Sequence, residues 1–250
     1  MKCLFLVAGY ATRLFPLTEN QPKALLEIGG KPILDYVLGQ VNSIPEIDEI
    51  IVISNNKFFP HFSEWAEAKD NSTPILVLND NTFDDATKLG AIGDIDFAID
   101  NAGIKDDLMI LAGDNLFTFK LVDFYNFFVQ HQKDCIAVHQ VDEKSELQRM
   151  GVAQLDEDGR VIDMEEKPKE PKSNTAVDPF YIYKESTLPL IKKYLAEGNN
   201  PDAPGNFPSW LYKQHDVLAH WIDGISIDIG TVANYNHVNE NFDELFQGKL

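Results

Sequence analysis

The 250-residue chain is 44% hydrophobic and 24% charged, the composition of a globular protein able to bury a sizeable core as one large domain, which excludes a disordered or fibrous chain. Its 40 acidic and 21 basic residues give a formal net charge of -19, which repels a phosphate backbone and an anionic membrane surface, so neither nucleic acid nor a membrane is an expected partner. A small phosphorylated ligand stays admissible, because locally placed cations or a bound metal override the overall sign.

Short β-type runs alternate with helical ones through the first half. Strands are predicted at residues 3–7, 50–54, 75–78, 108–111 and 135–138, and helices at 32–41, 61–68, 89–99 and 121–132. That βαβ order predicts an α/β fold, a Rossmann-like mixed and mostly parallel sheet with helices on both faces and ligands at the carboxyl ends of the strands. Beyond Gly151 the rhythm changes to two strands around a turn at residues 156–159 and a further strand at 176–183, a small α+β portion. Residues 198–208 form a Pro- and Asn-rich surface loop that feeds a short helix containing Trp210. Phe124, Tyr125, Phe127 and Phe128 have the spacing of a helix packing face, and Lys192 and Lys193 are expected as solvated helix charges. Cys3 and Cys135 lie in apolar runs, so buried thiols in a reducing cytosol are expected rather than a bridge. No apolar run could span a bilayer and no signal peptide is visible before the first strand, which predicts a cytoplasmic protein. The six histidines form no metal-binding spacing.

The stretch FLVAGYATRLFPLTENQPKALL, residues 5–26, leaves a strand at Val7 and places Arg13 and Lys23 in a loop. A small residue and a glycine, Ala8 and Gly9, bring backbone N–H groups close to a phosphate, with Gly9 expected to supply the positive φ. Arg13 offers a rigid fork of donors and Lys23 a mobile point charge. The stretch lacks the Gly-Lys-Ser/Thr ending of a P-loop and the three glycines of a dinucleotide fingerprint, so by itself it also fits a surface loop with two solvated cations. Asp114 follows the apolar run LMILAG and Asp228 ends the run GISID, each at a strand's carboxyl end, where a hard oxygen ligand for Mg²⁺ is wanted. Turn formation for Asp114 and a helix N-terminus for Asp228, opened by Gly230 and Thr231 ahead of a helix at 232–241, explain the same residues without a metal. Glu166 and Lys167 close a strand before Pro168, and strand alternation sends Glu165 and Glu166 to opposite faces.

The run AGYATRLFPLTENQPKALLEIGGKPILDY, from Ala8 to Tyr36, resembles the signature AGGxGTRLxPLTxxxPKxLLPIxxKPxLxY of the sugar-phosphate nucleotidylyltransferases. LAGDNLF, EEKPKEPKSNTAV and IDIGTVANY follow in the family's order, so the resemblance covers most of the chain, and it is nearest to the glucose-1-phosphate thymidylyltransferases. It implies one nucleotidylyltransferase domain over 1–250, mainly nucleotide-binding over 1–140 and mainly sugar-binding over 141–250. It assigns nucleotide contacts to Ala8, Gly9, Tyr10, Ala11, Thr12, Arg13, Asn79, Gly90 and Asp114. Arg13, Lys23 and Lys167 take catalytic roles on phosphates, and Gly151, Glu166, Lys167, Val177, Asp178 and Tyr181 line the sugar site. Asp114 and Asp228 would hold Mg²⁺. The implied reaction joins an NTP, with dTTP or UTP favoured, to a sugar 1-phosphate, with glucose 1-phosphate favoured, releasing pyrophosphate. A homo-oligomer is compatible with this.

The chain departs from the family at three places. Tyr10 and Ala11 replace loop glycines, and VLNDNTFDDATKLGAIGDI lacks the base-reading Gln of the thymidylyltransferases and is similar in its Asn-Asp wording to the choline-phosphate cytidylyltransferases. Asp178 and Pro179 replace a Thr-Gly pair, which would give the sugar pocket an acceptor and remove a donor, although Asp-Pro is also a common turn opening. A cytidylyltransferase for choline phosphate or another phosphorylated acceptor, and a non-catalytic nucleotide-sugar-binding regulatory protein, are the alternatives.

Overall fold

The computed structural model describes residues 1–246, so residues 247–250 of the expected 1–250 domain lie outside the described residues. In chain order the first elements are β1 (Lys2–Leu6), β2 (Glu27–Ile28), β3 (Lys31–Pro32), α1 (Ile33–Val41), β4 (Glu49–Ser54), α2 (Phe59–Glu67) and β5 (Ile75–Asn79). Then come α3 (Ala91–Ala102), β6 (Leu108–Ala112), β7 (Asn115–Phe117), α4 (Leu121–His131), β8 (Asp134–Gln140), α5 (Lys144–Leu147), β9 (Gly151–Leu155), β10 (Val161–Glu166) and β11 (Thr175–Tyr183). The last are α6 (Leu188–Ala196), α7 (Asn206–Leu211), β12 (Val217–Trp221), β13 (Ser226–Asp228), α8 (Val232–Glu240) and α9 (Phe242–Phe246). They gather into two compact units, one from residues 1–88, 112–122 and 223 onward, the other from 89–111 and 123–222.

In the first unit β1, β4 and β5 are parallel neighbours, with Cys3 opposite Ile50 and Ile50 opposite Ile75. The run EIIVIS is buried from Ile50 onward, as a strand covered on both faces must be, and its β-branched residues suit the pleat. Helix α1 buries Ile33, Leu34, Val37, Leu38 and Val41, and α2 buries Phe62 and Trp65. Trp65 donates its indole N–H to Asp35 Oδ1 at 2.7 Å, which joins the two helices. The short antiparallel pair β7–β13 sets Asn115 opposite Asp228 and Leu116 opposite Ile227. Leu116 and Ile229 anchor that pair in a cluster with Leu14, Leu26, Ile28, Ile33, Val238 and Phe246.

In the second unit β11 is the hub, antiparallel to β6, β8 and β9, while β12 runs parallel to β8. The expected hairpin is β9–β10, and Gly159 closes it at φ +79°. Phe207 stands edge-on to Tyr183 and Tyr194, with ring centres 5.2 and 5.7 Å away. Phe124 and Phe128 are buried and Phe127 lies 5.0 Å from the His220 ring, so the aromatic run packs as expected.

The α/β class is therefore the observed one, with the parallel neighbours β1, β4 and β5 in the first unit and the mostly antiparallel strands around β11 in the second. Asp178 and Pro179 do not open a turn. They lie inside β11, where the register shifts between Val177 and Tyr181, and a shift of that kind admits a residue with no N–H. Lys192 and Lys193 are exposed yet paired, the first with Asp100 at 2.7 Å and the second over the Trp210 ring at 5.5 Å.

Candidate active site

The phosphate-type loop begins where the β1–β4 ladder ends. Val7 N–H donates to Ile53 O at 3.2 Å and the buried Asn55 Nδ2 donates to Ala8 O at 2.8 Å. These bonds hold the chain in line through Ala8, and the left-handed residue comes later. Gly9 does not take the positive φ expected of it; Ala11 takes it, at +47°. A Cβ resists that conformation, and two bonds to Ala11 O secure it, from Thr18 Oγ1 at 2.8 Å and from Leu14 N–H at 3.0 Å. Thr12 and Arg13 follow in a 3-10 turn and are exposed. Tyr10 is buried, with its hydroxyl 3.3 Å from Thr82 Oγ1.

Lys23 is not a solvated cation. It opens the 3-10 turn Lys23–Leu25, its side chain is only 9% exposed, and its Nζ lies 2.9 Å from Asp114 Oδ2 and in a second, closer ion pair with Asp228 Oδ1. Burial alone would lower the pKa of this ammonium, but the Asp114 and Asp228 carboxylates outweigh it and hold the pKa above its ordinary value. Asp114 reaches this position because Gly113 before it has no side chain. A Cβ there would come within 2.6 Å of Val7 Cγ1 and 2.9 Å of Leu34 Cδ1. Asp228 reaches it through the β7–β13 pairing, and its carbonyl accepts from Asn234 Nδ2 at 2.7 Å. Thr231 caps α8 by accepting from Asn234 N–H at 3.1 Å, so the helix that Gly230 and Thr231 were expected to open does start there. Among the described residues no group of three or more acidic, His or Cys side chains could hold a metal ion. The donor set is thus two carboxylates converging on one cation, and it fits Mg²⁺, which takes one or two protein carboxylates and keeps its other positions for water and phosphate.

In the second unit the register sets Gly151 opposite both Glu166 and Val177. A Cβ on Gly151 would stand 3.1 Å from Glu166 Oε2 and 3.2 Å from Val177 Cβ, and one on Gly205 would run into the same carboxylate while lying 3.6 Å from Tyr181 Oη. Glu166 therefore occupies a space that two glycines leave open. Burial pushes its pKa up, opposed by Lys167, whose Nζ is 3.7 Å from Oε1 and which is itself more than half exposed. Lys167 sits at φ +50° with its N–H on Met150 O at 3.0 Å, the bend that ends β10 before Pro168. Glu165 turns the other way and meets Lys172 at 2.9 Å, as strand alternation requires. Burial first, then Glu166 and Asp178, raise the Tyr181 phenol well above its usual value.

Three predicted site residues have partners or packing of their own. Asp178 is 1% exposed and accepts from His139 Nδ1 at 2.5 Å, so the acceptor that sequence reading gave to a sugar is held by a histidine. Burial alone would lower the pKa of His139, and Asp178 outweighs it and raises it. Gly90 caps α3 at φ +79°, and a Cβ there would meet Pro201 O at 2.6 Å, so its glycine is required by packing. Asn79, at the end of β5, donates to Asn56 Oδ1 at 2.9 Å and accepts from Asn81 N–H at 2.8 Å. Gly205 and His139 went unread, since a single glycine in a loop and a single histidine in a strand carry no pattern.

Residues 2–244 match the model of the family described as Nucleotidyl transferase. The chain belongs to that family. Among its relatives within this range of functions are the bifunctional protein GlmU of Methanococcus aeolicus, 27% identical over 100% of this chain and 57% of that one, and the UTP–glucose-1-phosphate uridylyltransferase AglF of Haloferax volcanii, 28% identical over 73% of this chain and 72% of that one. The chain spans 62%, 57% and 51% of the length of three curated relatives it matches. In fold it is similar to a crystal structure of UDP-glucose pyrophosphorylase complexed with UDP-glucose, with a TM-score of 0.82 at 20% identity, covering 97% of this chain and 98% of that one. The matched span of the nucleotidyl transferase family takes in Arg13, Lys23, Asp114, Glu166, Lys167 and Asp228 alike. No helix among the described residues is long and apolar enough to cross a membrane.

Proposed function

We propose that this chain is a sugar-phosphate nucleotidylyltransferase, acting as a single domain, that joins dTTP or UTP to glucose 1-phosphate and releases pyrophosphate. The observation that carries this is the buried Lys23 held between Asp114 and Asp228, the second 205 residues further along the chain, which the fold brings onto one point. An oxygen of the sugar phosphate attacks the α-phosphorus in line, the new P–O bond forms as the bond to the bridging oxygen breaks, and the pyrophosphate leaves with that electron pair. No enzyme atom becomes bonded to phosphorus. Such a step is accelerated by positioning and charge neutralisation.

Arg13, exposed in its 3-10 turn, holds the β- and γ-phosphates, and Lys23 meets the α-phosphate. Lys167 holds the incoming sugar phosphate, and Glu166 accepts from sugar hydroxyls. Asp114 and Asp228 would hold Mg²⁺, which when bound supplies Lewis-acid neutralisation of phosphate charge. The name of the relative AglF, a UTP–glucose-1-phosphate uridylyltransferase, supports UTP and glucose 1-phosphate, and the thymidylyltransferase-like motifs support dTTP.

The test is a matrix of NTPs against sugar 1-phosphates and choline phosphate, scored by Mg²⁺-dependent pyrophosphate release. Turnover with dTTP or UTP and glucose 1-phosphate is the expected result. Turnover with CTP and choline phosphate alone overturns the acceptor, and no turnover with any pair overturns the enzyme in favour of a binding protein.

A further inference from the structure

In the first unit the segment after β5 is tied to the loop after β1 by a chain of side chains. Thr82 Oγ1 lies 2.8 Å from Asp80 Oδ1 and 3.0 Å from Oδ2, Thr82 N–H donates to Asp80 Oδ1 at 2.7 Å, and the Tyr10 hydroxyl is 3.3 Å from Thr82 Oγ1. Tyr10, Asp80 and Thr82 are 8%, 5% and 3% exposed, so water does not compete for these bonds.

Counting protons fixes their direction. A carboxylate only accepts and a hydroxyl has one hydrogen, so Thr82 gives its hydrogen to Asp80 and must accept the one from Tyr10. The phenol keeps that hydrogen at neutral pH, because burial raises its pKa and Asp80, Asp84 and Asp85 add to the rise. The main chain separately fixes the segment to the end of β4, since Asn56 N–H donates to Thr82 O at 3.0 Å and Asp80 N–H to Ser54 O at 2.8 Å.

We propose that Tyr10 is a positioning residue that fixes the phosphate loop against residues 79–88 and thereby sets which nucleotide base the site accepts. This rests on the nucleotidylyltransferase reading. The Tyr10 ring is buried, and its hydroxyl sets the distance between the loop and the segment after β5. The chain lacks the Gln of the thymidylyltransferases in that segment, and the Tyr10–Thr82–Asp80 chain is the polar link from it to the loop after β1.

Two measurements on the full chain test it. Hydrogen–deuterium exchange of residues 79–88 in Tyr10→Phe, which keeps the ring and removes one donor, should be on the order of tenfold faster than in the parent. Steady-state kinetics of the same variant should raise the KM for the preferred NTP about fivefold, the loss of one buried hydrogen bond, leave the KM for the sugar phosphate in place, and narrow the preference among NTPs. Thr82→Ala should reproduce both changes and Thr82→Ser should restore them. Unchanged exchange in Tyr10→Phe overturns the tether whether or not any substrate pair turns over. Faster exchange with an unaltered NTP preference overturns the positioning role. A parent with no pyrophosphate release in the full matrix overturns the enzyme reading, and with it the link to base choice.

Discussion

Each unit carries a carboxylate–lysine site, and burial treats the two in opposite ways. In the first unit the lysine is the buried partner. Lys23 is nearly closed off while Asp114 and Asp228 are one-third and two-thirds exposed, so the carboxylates keep water and still neutralise the ammonium. In the second unit the carboxylate is buried and the lysine exposed. Lys167 at 3.7 Å is too solvated to offset the burial of Glu166, whose pKa rises. Which partner is desolvated decides whether a pair stays fully charged or drifts toward a neutral acid. The first arrangement suits anchoring phosphates and a metal, and the second suits a directional acceptor for hydroxyl groups.

The sharpest way to break the contrast is to remove charge from the first site. Lys23→Met, Asp114→Asn and Asp228→Asn are each expected to lower kcat by about 10²-fold or more, because every member neutralises charge that the other two cannot. Pyrophosphate release measures it, with circular dichroism as the check on folding. Near-parental turnover in both aspartate variants would remove the metal assignment, and in Lys23→Met it would reduce that lysine to a structural counter-ion.

The second site should respond in KM more than in kcat. Glu166→Gln keeps the shape but converts half of the acceptor to a donor, and Gly205→Ala places a Cβ in the carboxylate's space. Both are expected to raise the sugar-phosphate KM by roughly tenfold with the NTP KM unchanged, the scale of one mismatched polar contact. A change confined to the NTP KM would show that the acceptor pocket has been misassigned.

Sequence pattern made the elements and much of the chemistry legible, but not the distances that count. The apolar runs around Ile50 and Ile110 announce buried strands, and the long EKP match singles out Glu166. The two-strand pairing of residues 115–117 with 226–228 has no period long enough to register, yet it is what carries Asp228 to Lys23. The sequence points to the loop glycine as the site of the positive φ, and the structure puts it at Ala11, because the bond from Asn55 to Ala8 is long-range and postpones the turn. The Asp178–His139 pair was invisible for the same reason: its members are 39 residues apart and meet only through the β8–β11 register.

Titration sharpens the contrast further. Because burial holds the Glu166 pKa above the ordinary carboxyl range, its carboxylate form is lost at a higher pH than that of an exposed glutamate. As pH falls through that raised value the acceptor becomes part donor, so the sugar-phosphate KM should climb by about fivefold, while Glu166→Gln should show a flat profile over the same range. An identical rise in the glutamine variant would assign the titration to the substrate phosphate.

The smallest effect comes from a pair in the second unit that behaves like the first site. His139 is raised because Asp178 outweighs the burial that would lower it, just as two carboxylates do for Lys23. The folded protein therefore keeps the imidazole proton to a higher pH than the unfolded chain, whose imidazole titrates near about 6.5. The stabilisation is fully present below that value and is lost as pH rises through the raised folded value. His139 keeps some solvent access, and a charge-assisted bond of this kind contributes about 1 to 2 kcal/mol. Urea unfolding of the parent and of His139→Gln should therefore differ by about that much at about pH 6 and converge by about pH 9. A gap that is constant across this range would mean the histidine contributes packing and a neutral hydrogen bond, and the likeness to Lys23 would fail.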